Sequence, residues 1–229
     1  SRYFSQKDIE KYEYSVCFAD FQTQGRGRGS NQWLSPYGSG VCFSVIGSFS
    51  SKSSPLGLSI YCGIAIARAL RDLGYAGVSL KWPNDLLHGG KKLGGILVEL
   101  TSQSQDYYSF NIGVGINYDI GSDLNSMAEN LFPPTDLLKI NHDLSVCRSE
   151  MSGILARTVI ESLKKFNQRS IQSAFKLWPE YDALFEKEVK IIEENDILEG
   201  KNIGIDHTGA LLLDDNGVIK KVYNGHLVI

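Results

Sequence analysis

The sequence lacks the features that direct a protein to a membrane, and it has no excess of basic charge. No apolar run approaches the roughly 20 residues of a membrane helix, and no signal peptide opens the 229 residues. Lys and Arg number 23 against 26 Asp and Glu, and the net charge of −3 does not favour nucleic acid or anionic lipid. We therefore expect a cytoplasmic protein that binds neither a membrane nor nucleic acid through this chain.

Cysteine and histidine are scarce, with four of each. The cysteines are widely spaced and form no C-x-x-C pair, which favours free, buried thiols in a reducing compartment over disulfides or a zinc site. The histidines show no metal-ligand spacing either. The sequence thus predicts no metal held by the protein, and anions have to be bound by locally placed Arg, Lys and backbone N–H groups. The four cysteines are Cys17, Cys42, Cys62 and Cys147.

The residues that are present have the composition of an ordinary globular protein, with 42% hydrophobic and 21% charged residues. Strand and helix patterns alternate up to about Glu186, and short β-type runs separated by Asn-Gly and Thr-Gly turns follow. This change in the sequence pattern indicates an α+β domain over residues 1–186 and a small antiparallel barrel or sandwich over residues 187–229. The predicted strands of the first domain cover residues 12–19, 41–49, 78–82, 93–100 and 107–116, and the predicted helices cover residues 55–73, 151–166 and 171–177.

A glycine- and arginine-rich segment, GRGRGSNQWLSP, occupies residues 25–36. Glycines let the backbone turn at positive φ and approach a ligand closely. The interleaved arginines offer guanidinium forks that suit carboxylates and phosphates. An RNA-binding GRGR segment or a surface loop explains the same residues. By itself the segment does not decide between these alternatives.

A second cluster combines KWPND at residues 81–85 with GGKKLGGIL at residues 89–97. A strand there ends in a turn that bears Asp85, and a hairpin returns with Lys92 seven positions later. A turn between two strands would bring this carboxylate and this ammonium close together. The alternative is a surface hairpin whose Lys91 and Lys92 are simply solvated, as most lysines are. A nucleotide P-loop is excluded, because no Ser or Thr follows a Gly-Lys pair at the required spacing.

A third cluster, Gly113-Val114-Gly115-Ile116-Asn117, ends a predicted strand. It lacks the third glycine of the dinucleotide-binding fingerprint. Close packing of backbones within a sheet explains the two glycines equally well.

Taken together, GRGRGSNQWLSP, KWPNDLL, KKLGGILVE and GVGIN resemble the biotin protein ligases in their order and spacing. The β-rich C-terminal region also looks like theirs, so the resemblance covers nearly the whole chain. It implies a class II synthetase-like catalytic domain, with a mixed sheet flanked by helices, followed by a small SH3-like β-barrel. Some bacterial members also carry an N-terminal helix-turn-helix that represses biotin genes. We expect none in this chain.

The resemblance also implies a reaction in two steps. In that family biotin and ATP form biotinyl-5′-AMP, and a lysine of a biotin carboxyl carrier protein, usually a subunit of acetyl-CoA carboxylase, then accepts the biotin. Because a carboxylate has to meet a phosphate, cations must offset their repulsion. The cofactors implied are ATP, biotin and Mg2+, with the metal bridging the phosphates. A homodimer is left open.

Three residues match the catalytic positions of the family. Arg28 matches its adenylate-contacting arginine and Lys92 its catalytic lysine. Asp85 matches an aspartate near the reacting centre, where it would orient Lys92 or help the incoming lysine lose its proton. Trp33, like Trp82, is explained as readily by core packing as by a ligand site. The residues that match the biotin site are Gln22, Gly25, Arg26, Arg28, Lys92, Gly95, Gly113 and Gly115. Those that match the ATP site are Arg28, Trp33, Asn84, Lys92 and Asn117.

The sequence departs from the family pattern directly after GRGR. Asn31 stands where many bacterial members have a cation, so its role in phosphate binding is left open. Three other functions fit parts of the sequence: a lipoate protein ligase, a nucleic-acid-binding module and a biotin sensor without ligase activity. The combination of GRGR-x-x-x-x-W-x-SP with KWPND argues against the first, and the acidic balance argues against the second. The presence of both Lys92 and Arg28 argues against the third.

Overall fold

A computed structural model describes residues 13–29, 31–50, 55–121, 132–143, 146–193 and 196–228. Tyr12, where the first strand was predicted to begin, and Ser30 in the glycine-rich segment lie outside the described residues. None of the helices in the described ranges is long and apolar enough to cross a membrane.

The N-terminal part is built on a six-stranded sheet with the strand order β1-β2-β6-β5-β4-β3. All five pairings are antiparallel, whereas a mixed sheet was expected. For three of the five pairings the reason is local, because short turns join β3 to β4, β4 to β5 and β5 to β6, and such turns connect only antiparallel neighbours. The strands are β1 (Tyr14–Ala19), β2 (Gly40–Ser50), β3 (Val78–Lys81), β4 (Asp85–His88), β5 (Lys91–Gln103) and β6 (Tyr107–Asn117).

In the described ranges five helices accompany this sheet, and the α+β class predicted from the sequence is confirmed. The helix predicted over residues 171–177 ends at Phe175, and Pro179 lies in the first turn of the next helix, where its missing N–H costs no hydrogen bond. The helices are α1 (Leu58–Asp72), α2 (Leu137–Ile140), α3 (Arg148–Lys164), α4 (Gln168–Phe175) and α5 (Trp178–Tyr181).

The alternation of side chains along the strands gives the sheet one apolar face, packed against helices, and an opposite face with open space above its glycines. Along β6, side chains point alternately to the two faces. Phe110, Ile112 and Val114 are buried in the core that α1 and α3 cover. Gly113 and Gly115 point to the opposite face, where the missing side chains leave room. The spacing of apolar residues therefore places the core on one side and leaves the other side free for a site.

The C-terminal part forms a five-stranded antiparallel sheet with the order β10-β9-β8-β7-β11. Within the described residues its two edge strands, β10 and β11, do not pair, so the sheet is open where a barrel was expected. Apolar residues of both parts belong to one core, and the indole N–H of Trp82 donates to the Gly209 carbonyl at 3.0 Å. The strands are β7 (Glu188–Glu193), β8 (Asp196–Ile205), β9 (Leu211–Asp215), β10 (Val218–Val222) and β11 (His226–Val228).

The four cysteines are free, as predicted. Cys42 and Cys62 are buried, and burial raises the pKa of the Cys62 thiol to about 12. The expectation of buried thiols is wrong for Cys147, which is exposed because it lies at the start of α3, outside the core. It is only partly met at Cys17, which is half-buried on the edge strand β1.

Candidate functional site

A cleft of about 510 Å³ opens on the face of the sheet that carries Gly113 and Gly115. The glycine-rich loop, the β3–β4 turn and β11 form its other walls. It brings together ten of the twelve residues predicted from the sequence: Gln22, Arg26, Arg28, Trp33, Asn84, Asp85, Lys92, Gly95, Gly113 and Gly115. The other two, Gly25 and Asn117, do not line the cleft.

At one side of the cleft, Asp85 lies between two lysines. Its Oδ1 is 2.8 Å from Lys92 Nζ, and its Oδ2 is 3.1 Å from Lys81 Nζ. The 2.8 Å distance confirms the proximity that the seven-residue spacing suggested. Lys81 and Asp85 are directly opposite each other in the β3–β4 hairpin, and β5 returns beside them with Lys92. Burial acts to raise the pKa of Asp85, but the two ammonium groups outweigh it and lower that pKa below 3.8.

The two lysines have different surroundings. The side chain of Lys81 is 12% exposed, and its ammonium also lies 3.5 Å from the Leu227 carbonyl and 4.5 Å from the ring centroid of Phe132. The side chain of Lys92 is 36% exposed. Lys81 is therefore the fixed counter-ion of Asp85, while Lys92 can reach a ligand in the cleft without leaving the carboxylate uncompensated.

The glycine-rich loop folds back on itself as a narrow hairpin over the cleft. The N–H of Trp33 donates to the Gly25 carbonyl at 2.9 Å, and the N–H of Gly27 donates to the Asn31 carbonyl at 2.7 Å. A Cβ at Gly25 would lie 2.2 Å from the Trp33 carbonyl oxygen, and a Cβ at Gly115 would lie 2.6 Å from the Trp33 ring. Glycine at these two positions thus lets Trp33 lie flat against the sheet, where it forms a wall of the cleft.

The two arginines of the loop point to different partners. Arg26 forms a bidentate pair with Glu99 on β5, at 2.8 and 2.9 Å, and its side chain is 65% exposed. Arg28 donates to the side-chain oxygen of Asn224 and, at 3.5 Å, to the Gly225 carbonyl. Burial lowers the pKa of Arg28, although the charge of Asp85 opposes that shift. Arg28 is therefore the arginine placed over the cleft, and Arg26 ties the loop to the sheet.

Two predicted asparagines use their side chains to hold the backbone. Asn84 donates to the Ile96 carbonyl at 3.1 Å, which fixes the β3–β4 turn to β5. Asn117 is buried and donates to the Thr135 carbonyl at 2.9 Å and to the Lys92 carbonyl at 3.4 Å. Asn117 therefore holds the strand that carries Lys92 from behind the cleft.

Sequence reasoning gave no role to several residues of the cleft. The role of Lys81 could be predicted, because Lys81 stands four positions before Asp85 in KWPND and a turn between them pairs the two residues. Phe132 carries no local signal. The sequence predicts a separate β unit at the C-terminus, and no local pattern places its residues in the wall of the cleft. Those that line the cleft are Ile192, Gly225, His226, Leu227 and Val228.

The arrangement is suited to an anionic ligand with a flat apolar part. Arg28 and Lys92 supply donors for carboxylate or phosphate oxygens. Trp33 offers a ring, and its buried indole N–H has no hydrogen-bond partner in the described part of the chain. Among the described residues, no group of three or more His, Cys, Asp or Glu could hold a metal ion.

Comparison with known proteins agrees with this geometry. Residues 3–117 match the Biotin/lipoate A/B protein ligase family, and residues 184–226 match the Biotin protein ligase C terminal domain. The bifunctional ligase/repressor BirA of Escherichia coli K12 is 34% identical over 213 residues, covering 93% of this chain and 65% of BirA. The BirA of Bacillus subtilis 168 is 30% identical over 223 residues, covering 94% of this chain and 66% of that protein. The chain thus spans about two thirds of the length of these relatives.

A solved structure shares the fold over nearly the whole chain. Biotin protein ligase from Aquifex aeolicus, in complex with biotin and ATP, has a TM-score of 0.74 and 27% identity, covering 97% of this chain and 93% of that one. The first matched segment contains the predicted site residues, and the second contains the C-terminal sheet up to the first residue of β11. The chain therefore belongs to the biotin/lipoate A/B protein ligase family, with the C-terminal domain of the biotin protein ligases.

Proposed function

We propose that this chain is an ATP-dependent biotin protein ligase, which forms biotinyl-5′-AMP and transfers biotin to a lysine of a biotin carboxyl carrier protein. The observation that carries the proposal is the cleft in which Lys92, ion-paired to Asp85 at 2.8 Å, shares the walls with Arg28. The names of the relatives support it, as does the biotin and ATP complex of the Aquifex aeolicus structure.

In this proposal the cations of the cleft bring two anions together. Lys92 donates to the biotin carboxylate and the α-phosphate, and Arg28 donates to the phosphate from the loop, so that they offset the charge that builds up during transfer. Trp33 provides a wall for the nucleotide. Gly95 and Gly113 leave space on the sheet for the biotin ring, since a Cβ at Gly113 would have no neighbour closer than 3.8 Å.

Asp85 is assigned an orienting role rather than the role of a base. Both of its oxygens are paired with ammonium groups, and its pKa lies below its ordinary value. A carboxylate in that state is a poor acceptor for the proton of an incoming lysine at neutral pH. Asp85 therefore holds Lys92 at the cleft, and Lys81 keeps Asp85 ionised.

Mg2+ enters the proposal as the ion carried by the phosphates of ATP. The only carboxylate among the described cleft residues is Asp85, which is occupied by two lysines, so the protein side chains fit the phosphates and not the metal itself.

The proposal extends to the partner, the compartment and the domains. The acceptor is a carrier domain of the acetyl-CoA carboxylase type, and the compartment is the cytoplasm, in keeping with four free cysteines. Residues 1–186 form the catalytic domain and residues 187–229 the C-terminal domain, a division supported by their separate sheets. Homodimer formation is left to measurement.

A mass measurement tests the function. The protein is incubated with ATP, Mg2+, a biotin carboxyl carrier domain and either biotin or lipoate, and the carrier is weighed. A mass gain with biotin alone supports the proposal, a gain with lipoate would redirect it to lipoate ligation, and no gain with intact ATP would overturn it. Lys92→Ala should abolish the gain. Lys91→Ala is the matched control, because Lys91 is an exposed neighbour outside the cleft.

A further inference from the structure

The contact between Arg28 and the turn before β11 joins two distant parts of the chain. The guanidinium of Arg28 donates to the side-chain oxygen of Asn224, 196 positions away in the sequence, and to the Gly225 carbonyl at 3.5 Å. Because a guanidinium only donates, the amide of Asn224 must present its oxygen to it. The remaining N–H groups of Arg28 have no partner among the described residues, so they stay available to a ligand.

The acceptor sits on a firmly held turn. β11 pairs with β7, and Leu227 in its middle is 2% exposed. Gly225 packs so closely on β7 that a Cβ there would lie 2.5 Å from a methyl group of Ile191. The C-terminal sheet therefore fixes the position of Asn224 independently of the loop.

The part of the loop that carries Arg28, in contrast to the part that carries Trp33, is held mainly by contacts within the loop. Its backbone hydrogen bonds run between its two arms, and the Arg26–Glu99 pair at its base is largely exposed. Such an exposed pair contributes little, about 0.2–1 kcal/mol. Arg28 is thus the residue through which the loop is fastened to the C-terminal sheet across the cleft.

We propose that Asn224 is a positioning residue, which holds the guanidinium of Arg28 over the cleft so that its free N–H groups face the bound ligand. The C-terminal sheet then contributes to the site by orienting the guanidinium of Arg28. Asn224 itself does not contact the ligand. The catalytic side of this inference rests on the proposed function, whereas the fastening of the loop does not.

Limited trypsin digestion tests the fastening without any ligand. Trypsin cuts after arginine, so we measure by mass spectrometry the rate of cleavage after Arg26 and Arg28. Loss of a hydrogen bond to a charged group, partly screened by water, should speed this cleavage about three- to tenfold in Asn224→Ala. Asn224→Asp should cut at the wild-type rate, since a carboxylate also accepts from a guanidinium. An unchanged rate in Asn224→Ala would overturn the proposal.

A matched control separates fastening from a loosened sheet. Asn216→Ala removes another exposed asparagine, from the β9–β10 turn of the same sheet, whose side chain donates to Asp215 and not to Arg28. Asn216 has a φ of 52°, so alanine there also strains that turn and provides a test for a loosened sheet. Cleavage after Arg26 and Arg28 should stay at the wild-type rate in this variant. Equal acceleration in Asn216→Ala and Asn224→Ala would contradict a specific role of Asn224.

A double-mutant cycle tests the positioning role. Asn224→Ala should lower kcat/KM for adenylate formation about three- to tenfold in the wild-type background. In an Arg28→Ala background it should change kcat/KM less than about twofold, because the residue it positions is gone. Equal losses in both backgrounds would overturn the role. Absence of adenylation in the wild-type protein would instead refute the proposed function, and the trypsin result would stand by itself.

Discussion

Asp85→Asn removes the carboxylate that two lysines share while keeping the shape of the side chain. The carboxylate is close to both ammonium groups, at 2.8 and 3.1 Å, and the side chain is 12% exposed. Removing one partner of a buried ion pair costs about 3–5 kcal/mol, because the surviving charge loses its compensation. Lys92 is 36% exposed and can regain water. We therefore expect a loss of about 3 kcal/mol, the lower end of that range.

That loss corresponds to a fall in Tm of about 6–12 °C for a chain of this size. Thermal unfolding followed by circular dichroism at pH 7 measures it. The matched control is Asp215→Asn, which breaks an equally short pair with Lys220, at 2.7 Å, but at a side chain that is 39% exposed. The control should leave Tm nearly unchanged, because exposed pairs contribute little. Equal Tm values for the two variants would refute the reasoning.

The pH dependence gives a second measurement. Since the pKa of Asp85 is lower in the folded protein than its ordinary value of 3.8, its ionised form stabilises the fold. The contribution is complete above the unfolded-state pKa of about 4, and it is lost as the pH falls through the folded-state pKa. The Tm gap between wild type and Asp85→Asn should therefore be constant from pH 7 to pH 5 and narrow below pH 4. A gap that stays constant down to pH 3 would contradict the ion-pair explanation.

Three further outcomes follow from the loop and its neighbours. Glu99→Gln should weaken the exposed pair with Arg26 and lower Tm by less than about 4 °C in calorimetry, since such pairs contribute about 0.2–1 kcal/mol. A larger fall in Tm would show that this pair stabilises more of the protein than the loop. Gly115→Ala should displace Trp33, shift the tryptophan emission and cost about 1–3 kcal/mol in chemical denaturation; an unshifted spectrum would contradict the close approach. Arg28→Gly should still form the adenylate but release it early, seen by chromatography as free biotinyl-5′-AMP, whereas tight retention would count against its assigned role.

Much of the N-terminal part, which carries Asp85 and Lys92, could be predicted from local sequence. KWPND predicts a strand that ends in a turn bearing Asp85, and GGKKLGGIL predicts a strand that returns from residue 93, so the spacing suggests that Asp85 and Lys92 lie close together. The observed pair at 2.8 Å agrees with this. The structure adds the short strand β4, which begins at Asp85, and it starts β5 at Lys91. The glycine-rich segment was less informative. Its residues are compatible with a mobile surface loop as well as with a ligand-binding loop, because glycine permits many backbone conformations and specifies none.

The sequence by itself determined the α+β class, the strand that starts next to Lys92, the strand that contains Gly113, and the chemistry available at their ends. Only the tertiary structure decided how the two arginines of the loop are used, with Arg26 paired to Glu99 and Arg28 fastened to Asn224. It also decided that the C-terminal sheet closes the cleft. Hairpins arise from turns between neighbouring residues, so their contacts can be read from spacing. Contacts across nearly 200 residues depend on how the sheets pack, and no local pattern encodes them.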